Sequence, residues 1–340
     1  MRVLFDPRFG EHDPGRGHPD RPDRIAHCLT ALAESGAQAE ECQYEATTEE
    51  LSTVHDAGYV MALREACREG GGWLGLDTYA GPRSFTVAAR AAGMACTAVD
   101  ISFALGTSVF SLGRPPGHHS GPSYAMGFCL LNSTAVAASH ALQLGAARVM
   151  IVDIDVHHGN GTQDIFYDDP RVLYLSVHQS PWYPGTGALT ETGEGAGEGM
   201  TVNVPLASGS GDATYLAVVD EIARPVATAF APDVVLVSAG FDAHREDPLG
   251  AMDLSTSGFY YLGDRLQALA RDVAGGKAVF ILEGGYRLEA LGTSFLAIAG
   301  EAQAPPATEP VPSLSPEGRT AAAFHAKRWG QAPEVRSQRR

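Results

Sequence analysis

Cysteine is scarce in this chain and follows no pattern. Five residues (Cys28, Cys42, Cys67, Cys96 and Cys129) are scattered over 340 positions, and none belongs to a Cys-x-x-Cys pair. That excludes a disulfide framework and a cysteine-built zinc site, and it leads us to expect reduced thiols in a cytoplasmic protein. Basic charge is also short. Lys and Arg number 24 against 40 Asp and Glu, for a formal net charge of −16. Direct nucleic-acid binding needs a basic footprint, so none is expected. The acidic balance reads first as solubility, and second as a mild pull on cationic substrates. No stretch approaches the ~20 apolar residues needed to span a bilayer, so no membrane partner is expected. Residues 1–9 lack the basic and apolar regions of a signal peptide. No internal repeat stands out.

What is present can build a core. Hydrophobic residues make up 44 % and charged residues 19 %, enough for a sizeable core, and 340 residues suit one large α/β domain or two ordinary ones. Short β-branched runs at 2–5, 108–112, 149–153, 172–177, 201–204, 234–238 and 278–282 read as strands. Ala- and Leu-rich helical patterns lie between them at 22–33, 84–104, 133–144, 213–229 and 256–274. Strands alternating with helices imply a mostly parallel sheet covered on both faces. The runs 149–153 and 234–238 are apolar without alternation, as central parallel strands are. After Glu301 the composition shifts. Residues 304–316 are proline-rich and read as a linker, followed by one helix near 321–328 and a basic end at 340.

Four motifs follow strands. The first is Asp153-Ile-Asp155-Val-His157-His158-Gly159-Asn160-Gly161. In extended chain Asp153, Asp155 and His157 share one face, at the carboxyl edge where α/β sheets bind ligands. A loop that caps the next helix would explain one such residue, but a dense charged cluster after a buried strand is costly without a purpose. The second runs from Ser238 to Leu249 and contains Asp242, a third potential ligand. Two aspartates and a histidine leave an open position on a divalent metal, as catalytic sites do. Zinc is expected, although an oxygen-rich set also suits iron(II) or manganese. Asp242 alone would read as a helix N-cap. The third motif, Arg114-Pro-Pro-Gly117-His118-His119, presents two histidines able to move protons near neutral pH. The fourth, Leu282-Glu-Gly-Gly285-Tyr286, displays a phenol that can donate to a developing oxyanion.

Taken in this order, RPPGHH, DIDVHHGNGTQ, SAGFDAHREDPLG and LEGGY resemble the zinc-dependent histone deacetylase family. HPDRPDR near the start, HDAGY at 55–59 and GFCLLNSTAVAA at 127–138 match it too. GNGTQ and AGFDA are similar to the class II branch and its bacterial histone deacetylase-like amidohydrolases. The resemblance covers about residues 1–300, the expected catalytic domain, and leaves 301–340 as linker and tail. It implies an arginase/deacetylase-like α/β fold and one zinc per chain, bound by Asp155, His157 and Asp242. It also implies that His118 and His119 flank a metal-bound water, backed by Asp153 and Asn160. Asn160 stands where the class I branch has aspartate. A neutral amide favours a protonated imidazole far less than a carboxylate does. His119 is therefore expected to be the general base and His118 the cation, with Tyr286 holding the oxyanion and acetate and a free amine as products.

The resemblance further implies that Phe128, beside Gly127, and Tyr183 wall an acyl-lysine tunnel, and that Asp77 sits on its rim. It implies a structural potassium ion held by Asp153, Asp155, His157, Ser176 and Val177. The expected substrate is an acetylated lysine or a small acetylated amine. Acetylpolyamine hydrolysis is the nearest rival. Two features disfavour it: His55 and Arg114 leave no room for the insertion of the bacterial polyamine enzymes, and apolar Leu249 stands where a polyamine-selective relative has a glutamate gatekeeper. Asp242-Ala-His244 echoes an arginase-type ureohydrolase, but a second manganese ligand set is missing. A catalytically dead acetyl-binding module is disfavoured because no ligand or proton-transfer residue is lost. A homo-oligomer is left open.

Overall fold

A computed structural model describes residues 1–305 and 308–330. Its centre is an eight-stranded sheet. The strands are β1 (Arg2–Phe5), β2 (Glu40–Glu41), β5 (Ser108–Ser111), β6 (Val149–Asp153), β7 (Val172–Gln179), β8 (Thr201–Leu206), β9 (Val234–Ala239) and β10 (Ala278–Leu282). They lie in the order β2-β1-β5-β10-β9-β6-β7-β8, and every pairing is parallel. Parallel neighbours need crossovers, and helices supply them on both faces. β6, β9 and β10 are buried throughout, as expected of central strands without alternation. A separate two-stranded hairpin pairs β3 (Gly72–Trp73) with β4 (Tyr79–Ala80).

The helices are α1 (Asp23–Glu34), α2 (Thr48–Leu51), α3 (Ala57–Arg68), α4 (Ser84–Leu105), α5 (Ser133–Gln143), α6 (Asn160–Phe166), α7 (Asp212–Val218), α8 (Arg224–Phe230), α9 (Thr256–Ala274), α10 (Leu288–Ala299) and α11 (Pro316–Trp329). Three of them depart from the sequence reading. The single helix expected at 213–229 is instead α7, a π-helical turn at Val219–Ala223, and α8. Pro225 lacks an N–H and crowds the carbonyl four residues back, which forces the wider turn. Contrary to the expectation of no long apolar stretch, α4 is 22 residues long with a mean hydropathy of 1.3, enough to cross a bilayer by length and composition. In the fold that stretch is 67 % buried, packed against α5 and β5.

The third departure lies in the expected tail. α11 packs on edge strand β8, with Leu314 and Ala321 joined to the main core. His325 Nε2 lies 2.9 Å from the Asn203 carbonyl. This helix covers an edge that would otherwise offer unpaired backbone groups. The basic end beyond residue 330 lies outside the described residues.

Candidate active site

Strands β5, β10, β9, β6 and β7 are neighbours in the sheet, so the loops at their carboxyl ends meet. All four chemical motifs sit on these loops. After β6 the chain curls through two local bonds. Asp153 Oδ1 accepts the Asp155 N–H at 3.1 Å, and Asp155 Oδ1 accepts the His157 N–H at 2.9 Å. The loop after β9 brings in Asp242, whose Oδ1 accepts the Val156 N–H at 2.9 Å. His157 Nδ1 then stands 3.1 Å from Asp155 Oδ1 and 3.2 Å from Asp242 Oδ2.

These three residues form a buried group of potential metal ligands within 4.8 Å of one another, and the two distances from His157 approach those between ligands of a tetrahedral ion. Bonds of about 2.0–2.1 Å place tetrahedral ligands roughly 3.3–3.4 Å apart. Asp242 Oδ2 is buried, and its contact with His157 Nδ1 at 3.2 Å is not aligned as a hydrogen bond, a costly condition that a cation relieves. Burial, followed by the charge of Asp155, pushes the Asp242 carboxyl up to about 7, and the two carboxylates raise His157 to about 10 against its burial, so the group draws positive charge to itself. Gly284 has no alternative here. A Cβ on it would lie 2.1 Å from Asp242 Oδ2 and 2.6 Å from Asp155 Oδ2. No helix starts at Asp242, so the N-cap alternative is not realised.

The two histidines differ. His118 Nδ1 lies 3.1 Å from Asp153 Oδ2. Burial opposes its charge, but Asp155 and Asp153 outweigh burial and raise it to about 10. These carboxylates favour the cationic form of His118. His119 is held well below the usual histidine range by burial, then by the charges of His118 and His157. Its Nδ1 is 2.7 Å from Asn160 Oδ1. An amide oxygen only accepts, so Nδ1 carries the proton and Nε2 keeps a free lone pair. Asn160 Nδ2 donates to the Tyr124 hydroxyl at 2.9 Å, which fixes the orientation of the amide. Asn160 occupies the first turn of α6 without capping it; its side chain serves His119 instead.

A cavity of about 250 Å³ opens above these groups. Its walls include Asp77, Gly127, Phe128, Tyr183, Leu249 and Tyr286, so every residue expected to meet substrate lines one space. Gly127 and Phe128 have φ of 56° and 70° and form the tip of a turn closed by the Cys129 N–H to Met126 O bond at 2.9 Å. A left-handed phenylalanine is strained. Its ring lies edge-on to Tyr286, 5.6 Å away. Tyr183 stands edge-on to His119 at 5.2 Å. The Tyr286 phenol is raised well above the usual range, by burial first and with Asp242 and Asp155 adding to it, so it stays a donor.

Several positioning groups escape a sequence reading. Glu283 Oε2 accepts the Gly117 and His118 N–H groups at 2.6 and 3.1 Å, so a buried carboxylate holds the histidine turn. Asp247 Oδ2 accepts the Tyr286 and Arg287 N–H groups at 2.6 and 3.1 Å, and its Oδ1 accepts that of Leu249 at 3.0 Å. One carboxylate thus ties two walls together. Trp182 also lines the cavity and donates through Nε1 to the Leu249 carbonyl at 2.9 Å. The residues expected to hold potassium are adjacent: Asp153 pairs with Ser176 across β6 and β7, and Val177 follows it. The Ser176 hydroxyl lies 2.9 Å from His178 Nδ1.

Comparison with known proteins decides the family. The model of the histone deacetylase domain matches residues 18–301. This chain belongs to the histone deacetylase family. Strand-end loops build its site. It is 44 % identical over 273 residues to histone deacetylase 14, chloroplastic, of Arabidopsis thaliana, covering 75 % of this chain and 64 % of that one. It is 38 % identical over 276 residues to a histone deacetylase-like amidohydrolase of Pseudomonas aeruginosa, covering 79 % and 73 %. The chain therefore spans less than two thirds of the first of these relatives. The crystal structure of the HDA15 HD domain superposes with a TM-score of 0.88 at 38 % identity, over 97 % of this chain and 95 % of that one. The deacetylase fold expected from the motifs is the observed fold.

Proposed function

We propose that this protein hydrolyses the N-acetyl amide of acetyl-lysine, using one zinc ion held by Asp155, His157 and Asp242. The observation that carries the proposal is a metal-ligand triad with an unsatisfied carboxylate oxygen, at the floor of a cavity walled by Phe128, Tyr183 and Tyr286. Zinc, when bound, polarises a carbonyl and acidifies a water. The chain's own groups do the rest. His119 takes a proton from the attacking water at Nε2. Cationic His118 stabilises the negative charge that develops, and a histidine returns a proton to the departing amine. The Tyr286 hydroxyl donates to the tetrahedral oxyanion. Aromatic walls suit the apolar stem of lysine.

Acetylpolyamine hydrolysis is the second reading, since the same machinery would serve it. Leu249 argues against it, because an apolar wall offers nothing to a distal ammonium. We place a structural potassium ion at Asp153, Asp155, His157, Ser176 and Val177, and a reduced, cytoplasmic setting fits five buried free cysteines. The test is acetate release by zinc-loaded protein from an acetyl-lysine peptide, N-acetylputrescine and acetylspermidine. The peptide should be preferred, and Tyr286→Phe should lower its kcat by about 10²–10³-fold, the usual effect of losing one oxyanion donor. A preference for the polyamines would overturn the lysine assignment.

A further inference from the structure

The large apolar side chains that the fold leaves exposed are concentrated around the mouth of the cavity. Among the described residues there are ten such side chains, and five of them, Trp73, Leu74, Leu76, Trp182 and Tyr183, lie in two segments that border the cavity. Leu76 is fully exposed and Trp73 is 55 % exposed. Exposing so much apolar surface in one place costs free energy in water and marks an interaction site. None of these positions is needed for the core, because neither hydrophobic cluster includes any of them.

The first segment is the β3–β4 hairpin. Its tip is closed by the Leu74 N–H to Thr78 O bond at 2.8 Å, which leaves Leu76 projecting beside cavity residue Asp77. The hairpin is fastened to the cavity wall at three points. The Phe128 N–H donates to the Thr78 hydroxyl at 3.2 Å. His18 Nε2 meets the Asp77 carbonyl at 3.1 Å. The Tyr183 hydroxyl approaches Asp77 Oδ2 at 3.4 Å. Aromatic contacts run on from there: the Trp73 ring is 5.9 Å from His18, and His18 is 4.6 Å from Phe128. The second segment carries Trp182, anchored to Leu249 across the mouth. The lip is therefore a fixed extension of the cavity walls.

We infer that this lip, chiefly Trp73, Leu76 and Trp182, selects polypeptides in which the acetyl-lysine is flanked by a bulky apolar residue. The inference rests on the lysine reading above and sharpens it. Once an acetyl-lysine side chain occupies the cavity, its peptide backbone must lie at the mouth, and the neighbouring side chains meet the lip. A leucine or phenylalanine there buries apolar area that glycine cannot, and burying such a side chain in part is worth about tenfold in binding. Asp77 at the same mouth disfavours an acidic neighbour by like-charge repulsion. A free polyamine is too slender to fill the lip.

The experiment compares kcat/KM for acetate release from matched acetyl-lysine peptides with leucine, glycine or glutamate on both sides of the lysine. N-acetylputrescine serves as the small probe. The expected order is leucine over glycine by about tenfold, with glutamate last. Trp73→Ala and Leu76→Ser should bring the leucine-to-glycine ratio to within about twofold, whereas Met61→Ser, an exposed apolar position on α3, should leave it unchanged. Equal cleavage of all three peptides, or a ratio that survives both lip substitutions, overturns the inference and leaves the lysine reading standing. Cleavage of N-acetylputrescine alone overturns both. Lip substitutions that change the mass of the particle in solution and leave the peptide ratio intact would assign the lip to contact between copies of the chain, again overturning it.

Discussion

Two buried charged clusters lie under the same loops, and they are finished in opposite ways. In the first, Asp20 is gripped by Arg24 at 2.9 Å and by Arg114 at 3.0 Å, all without solvent exposure. The leftover guanidinium donors go to the carbonyls of Phe9, His12, Asp20, Glu283 and Gly285. In the second, Asp155, His157 and Asp242 gather two carboxylates round one imidazole and leave Asp242 Oδ2 without an aligned hydrogen bond. The first cluster is complete within the chain and joins the amino-terminal segment to the β10 loop. The second is a group that could hold an ion from outside. A buried charge that is already matched is scaffold, and a buried charge left unmatched is a binding site.

Breaking each cluster should therefore do opposite things. The largest effect is expected for Asp242→Asn, which removes a ligand charge. Acetate release should fall by about 10³-fold or more, the scale on which enzymes depend on such electrostatic groups, while apo-protein stability by thermal melting holds or rises. Asp20→Asn should do the reverse. Breaking a buried pair strands two arginines and costs about 3–5 kcal/mol of stability, measurable by chemical denaturation. The pH dependence follows from its sign. Burial alone would raise the Asp20 pKa, but Arg114, His12 and Arg24 hold it well below the usual value. Its stabilisation is thus complete above the unfolded pKa near ~3.9 and fades only as pH falls toward the depressed folded value. Asp20→Asn should flatten that acid limb.

A smaller effect sharpens the contrast within the histidine pair. Asn160→Asp gives His119 a carboxylate partner like that of His118, which raises its pKa. A base works only when neutral, so the acid limb of kcat/KM should move to higher pH. An unchanged limb would mean that His119 is not the base.

The role of the second cluster was legible in the sequence; the first was not, although Asp20, Arg24 and Arg114 lie in the HPDRPDR and RPPGHH motifs. Asp155, His157, Asp242, His118, His119 and Tyr286 each stand within a few residues of the end of an apolar run, where strand alternation and sheet topology already aim them at one edge. Asp20 and Arg24 pair at i,i+4, but the bonds by which Asp20, Arg24, Glu283 and Asp247 position the site cross long sequence separations. Arg24 bonds Gly285, 261 residues away, and no local pattern announces that. Glu283 sits inside a recognised motif, yet its bonds to the His118 turn depend on β10 lying beside β5. Seven strands of the sheet were readable from apolar runs; edge strand β2, the exposed pair Glu40–Glu41, has no such run and is defined only by its pairing with β1. The π-helical turn at Pro225 and the docking of α11 on β8 depend on a proline's geometry and on a distant packing surface.

The most direct measurement is metal content against activity. The protein is stripped with a chelator, titrated with zinc, and assayed for bound zinc and acetate release from an acetyl-lysine peptide, beside Asp242→Asn. One zinc per chain, with activity rising in step with it and both lost in the variant, is the predicted result. Full acetate release by metal-free protein, or tight zinc binding that survives Asp242→Asn, would contradict it.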